Sequence, residues 1–162
     1  MRRRRVLAIG SLAGLLPLAA CAGGQLPTPS IGVVANDVKI IATGLQGVMN
    51  QLGALSVPGL TPQVLNTCQT SLAGLQTCAA AIANASSAVD AKPTVEQVEG
   101  YVNAFVGALA VLPLPAPVNT ALVAATILLP VIEAAVGLAI SNAPPATMTP
   151  DQARSALATT GS

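Results

Sequence analysis

The sequence predicts an all-α protein, an antiparallel helical bundle of about four helices. Three observations carry that expectation. Four successive segments space their apolar residues alternately three and four positions apart, which keeps them on one face of a helix. Each segment is bounded by Pro, Gly or capping residues. No period-two alternation competes for the same stretches. Composition agrees: 52% of the 162 residues are hydrophobic, yet only 1% are aromatic, with one Tyr, one Phe and no Trp. A core of Ala, Val, Leu and Ile lets helices approach closely.

The chain opens on Arg2, Arg3, Arg4 and Arg5, then an apolar run over 6–16, then Leu18-Ala19-Ala20-Cys21. The run is too short to span a bilayer, and the order of basic, apolar and small residues is that of an export signal. The last four residues resemble the lipobox of a bacterial lipoprotein precursor. The resemblance covers about the first 23 residues and points to no specific family for the remainder. It implies a signal peptide over 1–20, cleaved before Cys21. It also implies a diacylglycerol on the Cys21 sulfur and an acyl chain, such as palmitate, on the new amino group. Each chain contributes about 0.8 kcal/mol per buried CH₂, and more than one is needed for a stable anchor. Ala22, rather than Asp, follows the cysteine. Under the enteric sorting rule this favours the outer membrane over the inner, with the protein on the periplasmic face. The arginine run also has a loose similarity to a twin-arginine signal, so either export route fits.

Residues 21–31 read as a lipidated N-terminus and tether. Gly23 and Gly24 loosen it, and Pro27 and Pro29 stiffen it. Ser30 is the expected N-cap of the first helix.

The bundle is expected over 32–143. The first segment, 32–56, carries Val34, Val38, Ile41, Leu45, Val48, Leu52 and Leu55, and Pro58 and Gly59 close it. The second, 62–90, starts with Thr61 as N-cap and Pro62 at the first helical position, where its missing N–H is no loss. Its stripe is Leu65, Cys68, Leu72, Leu75, Ala79, Ile82, Ser86 and Val89, and Lys92-Pro93 ends it. The third, 94–112, begins with a Thr94–Gln97 capping box. It carries Val95, Val98, Val102, Phe105, Leu109 and Leu112, and Pro113, Pro115 and Pro117 stop it. The fourth, 118–141, carries Val118, Leu122, Ala125, Leu129, Ile132, Val136 and Ala139, with Pro130 expected to kink it. A Pro-rich turn and a short, partly disordered tail follow over 144–162. A small helix is expected to start at Thr149, and residues 159–162 are expected to fray.

Residues 121–140 are nearly continuous apolar sequence of spanning length. One reading is an inserted hairpin pairing 102–112 with 118–140. The other is a helix buried inside the bundle. Glu133 within the run is costly in lipid, no Lys or Arg flanks it, and outer membranes are spanned by barrels. The balance favours burial, with Glu133 reaching solvent at the bundle edge.

The formal charge of +1 belongs to the leader. Beyond it stand three basic residues, Lys39, Lys92 and Arg154, and six acids, Asp37, Asp90, Glu96, Glu99, Glu133 and Asp151, a net of −3. That excludes a basic nucleic-acid surface. The chain has no His, which removes His-based triads and metal sites. No phosphate-binding glycine loop is present.

Four further features were candidates for chemistry or structure. Glu96 and Glu99 share a helix face, where acids near a helix start favour the dipole; no other ligands accompany them. Asn84-Ala85-Ser86 matches a glycosylation sequon, by chance in a bacterium. Tyr101 and Phe105 read as core. Cys68 and Cys78 are an even pair in an oxidising compartment. Ten residues of continuous helix separate them by about 15 Å, while a bridge needs Cα atoms within about 7 Å. Either the helix breaks near Ser71 and Gly74, or the thiols stay free or pair between chains.

The expected function is that of a membrane-anchored lipoprotein working as a structural or interaction module of the bacterial envelope, not as an enzyme. No cofactor is expected beyond the lipid on Cys21. Its partners would be the membrane, through the lipid, and another protein or its own copies through the heptad faces. The alternative is a membrane-active envelope factor with an inserting hairpin, loosely similar to lysis accessories of phages and mobile elements.

Overall fold

A computed structural model describes residues 30–140 and 147–162. The lipobox (Leu18, Ala19, Ala20, Cys21) and all but the last residues of the tether lie outside the described residues. Among those described, the chain is all-helical with no strand. It forms α1 (Ile31–Ala54), α2 (Pro62–Ala83), α3 (Ala88–Leu109), α4 (Ala116–Ala135) and α5 (Pro150–Thr160).

The apolar stripes make one core. Val34, Val38, Ile41, Leu45, Val48 and Leu52 of α1 are buried, as are Val95, Val98, Val102, Phe105 and Leu109 of α3. Cys68, Leu72, Leu75 and Ile82 from α2 join them, with Val118, Leu122, Ala125, Leu129 and Ile132 from α4. α1 is the central element. It alone touches all four other helices, whereas α2 touches neither α4 nor α5. Beside its heptad stripe α1 buries Ala35, Asp37, Ala42, Gly44 and Gly47. Of these, Asp37, Gly44 and Gly47 face α5, whereas Ala35 and Ala42 face α2.

Five helices therefore replace the expected four. α5 runs alongside α1 in the same direction: Arg154 pairs with Asp37, Leu157 lies over Gly44, and Thr160 lies over Gly47. Ala153 and Leu157 are fully buried. A capping box starts the helix. The Thr149 N–H donates to Gln152 Oε1 at 2.8 Å, and the Gln152 N–H donates to Thr149 Oγ1 at 3.3 Å. Residues 159 and 160, expected to fray, belong to this packed helix.

The junction between α2 and α3 departs from the sequence reading. α2 ends at Ala83, not near 90, and α3 starts at Ala88, not 94. The Thr94–Gln97 capping box gives way to Ser87. Its hydroxyl accepts from the Asp90 N–H at 3.2 Å and donates to Asp90 Oδ2 at 2.7 Å. Pro93 then lies inside α3. There it forfeits the one backbone bond to the Val89 carbonyl, at an exposed residue where water can substitute. Ser86 and Val89, expected on the α2 stripe, are exposed instead.

α4 stops at Ala135 rather than 141. Gly137 has φ +71°. The Leu138 N–H donates to the Glu133 carbonyl at 2.9 Å and the Gly137 N–H to the Ala134 carbonyl at 3.1 Å. This glycine-terminated cap satisfies the last carbonyls before the Pro-rich stretch is reached. Lys92 Nζ lies 3.7 Å from where a Gly137 Cβ would stand, so a cation faces the negative end of α4.

Candidate functional site

The two cysteines sit on one unbroken helix. α2 runs continuously through Ser71 and Gly74, and Cys68 and Cys78 are both buried free thiols. The ten-residue separation thus stands, and the helix forbids a bridge between them. Burial pushes the Cys68 thiol up to about 11 and raises that of Cys78 as well. Neither has the exposed, electropositive surroundings that make a thiolate nucleophile. Cys78 Sγ lies 4.0 Å from Gln97 Oε1, a weak donor contact across α2 and α3.

Gly74 explains why α2 and α3 approach closely there. A Cβ on Gly74 would overlap the Tyr101 ring, so the ring lies flat against the α2 backbone. Phe105, one turn on, is fully buried. Both aromatics are packing residues. Asn84 caps α2, its Nδ2 donating to the Ala80 carbonyl at 2.9 Å.

Glu96 is exposed and Glu99 half-buried, and Glu99 lies close enough to Glu133 of α4 for its charge to act on it. Glu133 is only 5% exposed, a correction to its expected place at the solvent edge. Burial and then the neighbouring Glu99 charge raise its carboxyl above the usual range. Among the described residues no three His, Cys, Asp or Glu side chains converge to hold a metal ion.

The strongest polar arrangement was not anticipated. Arg154 of α5 donates from Nε to Asp37 Oδ1 and from an Nη to Asp37 Oδ2, both at 2.7 Å, and from its other Nη to Asp151 Oδ1 at 2.7 Å. Asp37 is 3% exposed. The bidentate fork satisfies a buried carboxylate, and its hydrogen bonds with Asp37 hold the guanidinium more firmly protonated than usual. Sequence alone offered one signal: an Asp inside the first heptads of α1, at a position next to the stripe residue Val38.

A cavity of about 610 Å³ forms a groove between the start of α1 and the end of α2. Ala35, Ala42, Ala79 and Ala83 line it, with Lys39 and Gln46 among its polar residues. A smaller cavity of about 370 Å³ lies between the end of α3 and the start of α4.

No protein-family model, no curated protein and no solved structure matches this chain.

Proposed function

We propose that the chain is a lipid-anchored, non-enzymatic module of the bacterial envelope, acting by contact with another protein or with its own copies. The observation that carries the reading is the Leu18-Ala19-Ala20-Cys21 motif after a basic and then apolar start, followed by a Pro/Gly tether and a helical body beginning at Ile31. The lipid on Cys21 holds the body at the membrane, on the periplasmic face of the outer rather than the inner membrane. The body is a bundle in which successive helices alternate in direction.

Metabolic labelling with a clickable fatty acid tests the anchor. Wild-type chain should take the label and Cys21→Ala should not; an unlabelled wild type overturns the anchor.

α4 supports a second reading, a hairpin of α3 and α4 that enters a membrane. α4 is long enough to span and has a mean hydropathy of 1.8, although 61% of that window is buried within the fold. Alkaline extraction of membranes holding Cys21→Ala separates the two. Release into the supernatant supports a lipid-held bundle, and retention supports insertion.

A further inference from the structure

Of the three cations beyond the leader, two have an evident place. Arg154 is held by Asp37 and Asp151, and Lys92 faces the C-terminal end of α4. Lys39 differs. Among the described residues neither an acidic side chain nor the C-terminal carboxylate pairs with it. All six acids of the chain are among those residues, so the protein supplies no side-chain partner for this charge. Lys39 lines the 610 Å³ groove between α1 and α2. The apolar walls of that groove are Ala35 and Ala42 on one side and Ala79, Ala80 and Ala83 on the other, so neither helix sends a large apolar side chain across the gap. The rest of the lining, Asn36, Thr43, Gln46 and Gln76, is polar and uncharged. Along α1 the groove runs from Ala35 to Gln46, about 16 Å at the helical rise per residue. It is a long trench of methyl groups with one positive charge and no negative one.

We propose that the α1–α2 groove binds a free fatty-acid anion, its carboxylate on Lys39 and its chain along the alanine walls. Charge selects the head group. One cation with no acid beside it complements a single negative charge, and the net −3 of the body disfavours a polyanion. Asn36 stands three residues before Lys39 and Thr43 four after it, so both share its face of α1 and can donate to the second carboxylate oxygen. The walls select the tail. Rows of alanine methyls offer a straight apolar surface, and a saturated chain lies on it with no polar group of its own to satisfy. The volume falls within the range of small-molecule sites, about 300–1,000 Å³. A protein partner is the poorer occupant, because ten residues line the groove, against about 20–30 on each side of a standard protein interface. The acyl groups expected on Cys21 are joined as esters and an amide, and lack the negative charge that Lys39 complements. The proposal does not depend on the lipid anchor.

The test reconstitutes the full-length chain in phosphatidylcholine vesicles at pH 8 and irradiates it with tetradecanoate bearing a diazirine and an alkyne on its chain. Mass spectrometry maps the adducts. They are expected within 35–46 and 76–83, displaced by unlabelled tetradecanoate but not by tetradecanol, which has the same chain and no charge. Ala80→Leu puts a branched side chain into the trench from an exposed position. Losing two methylenes of the tail there should weaken the probe's apparent affinity about tenfold or more. Ala83→Leu, also exposed, repeats the blockade one turn on. Lys39→Gln should weaken it about two- to fivefold, the worth of one exposed ion pair. Lys92→Gln makes the same change in net charge outside the groove and should leave it unchanged. Adducts undiminished in both alanine variants overturn the groove as the site. Equal displacement by tetradecanol, or equal weakening by Lys92→Gln, overturns the anionic ligand. Groove adducts that are absent while an Ala80→Cys thiol is shielded from maleimide give the groove to another protein and overturn the proposal as well.

Discussion

Removing the Arg154 side chain should damage the fold more than removing Asp37, although both break the same ion pair. The Asp37 side chain is 4% exposed and that of Arg154 29%. In Arg154→Met the carboxylate is left buried and uncompensated, which typically costs about 3–5 kcal/mol. α5 sets a ceiling, because the helix can instead lift away and let water reach Asp37. That route sacrifices the burial of Leu157, worth about 1.5–3 kcal/mol, and of Ala153. The expected loss is therefore about 3 kcal/mol. In Asp37→Leu the guanidinium keeps Asp151 and its path to solvent, so the loss should be about 1–2 kcal/mol, the scale of hydrogen bonds to a charged group. The double variant should lose less than Arg154→Met alone, since no buried charge is left without a partner. Urea unfolding followed by far-ultraviolet circular dichroism at pH 7 measures all three. Equal losses for the two single variants, or a double variant that loses their sum, would refute the argument.

Four further outcomes follow from named contacts. Gly47→Ala should destabilise by about 1–3 kcal/mol, because its Cβ would overlap the Thr160 carbonyl of α5; Gly53→Ala on the same helix meets nothing within 4 Å and should stabilise by up to about 1 kcal/mol. Phe105→Ala should cost about 3–5 kcal/mol by the same urea titration. Glu133→Gln should raise Tm at pH 7.5 and change it little near pH 4. The raised carboxyl binds its proton more tightly folded than unfolded, so the wild type holds that stability below the unfolded-state value and loses it as pH rises through the folded-state value. Finally, Cys68 should resist a thiol-reactive disulfide reagent at pH 8 in the native protein and react at once in urea; prompt native reaction would contradict its burial.

Much of the fold was legible because most members of the stripes of α1, α3 and α4 are core residues; the last of each departs, Leu55 and Ala139 being exposed and Leu112 half-buried beyond the helix ends. What misled was local competition among breakers. Between 84 and 94 the chain offers two start signals, Ser87 with Asp90 and Thr94 with Gln97, and a Pro between them. Pro93, the sixth residue of α3, costs only one backbone bond there, so it did not decide the boundary, and the Ser87 cap did. Gly137 was similarly overshadowed by the prolines that follow it, yet it supplies the positive φ that a helix end uses. Cys68 was legible as a member of the α2 stripe, whereas the burial of Cys78, which is not a member of that stripe, needed the structure.

The place of α5 was not legible, for a physical reason. Its pattern is short and mostly polar, with Ala153 and Leu157 its only fully buried residues. Nothing in such a segment announces a core helix. The information lies instead on α1, where Asp37, Gly44 and Gly47 interrupt an otherwise strong helical sequence. A buried acid and two helix-interior glycines are each unfavourable in isolation. Together they describe the imprint of a partner helix that brings an arginine and needs close approach. Residues that weaken an element locally are thus a guide to tertiary contacts, and here three of them point at one helix.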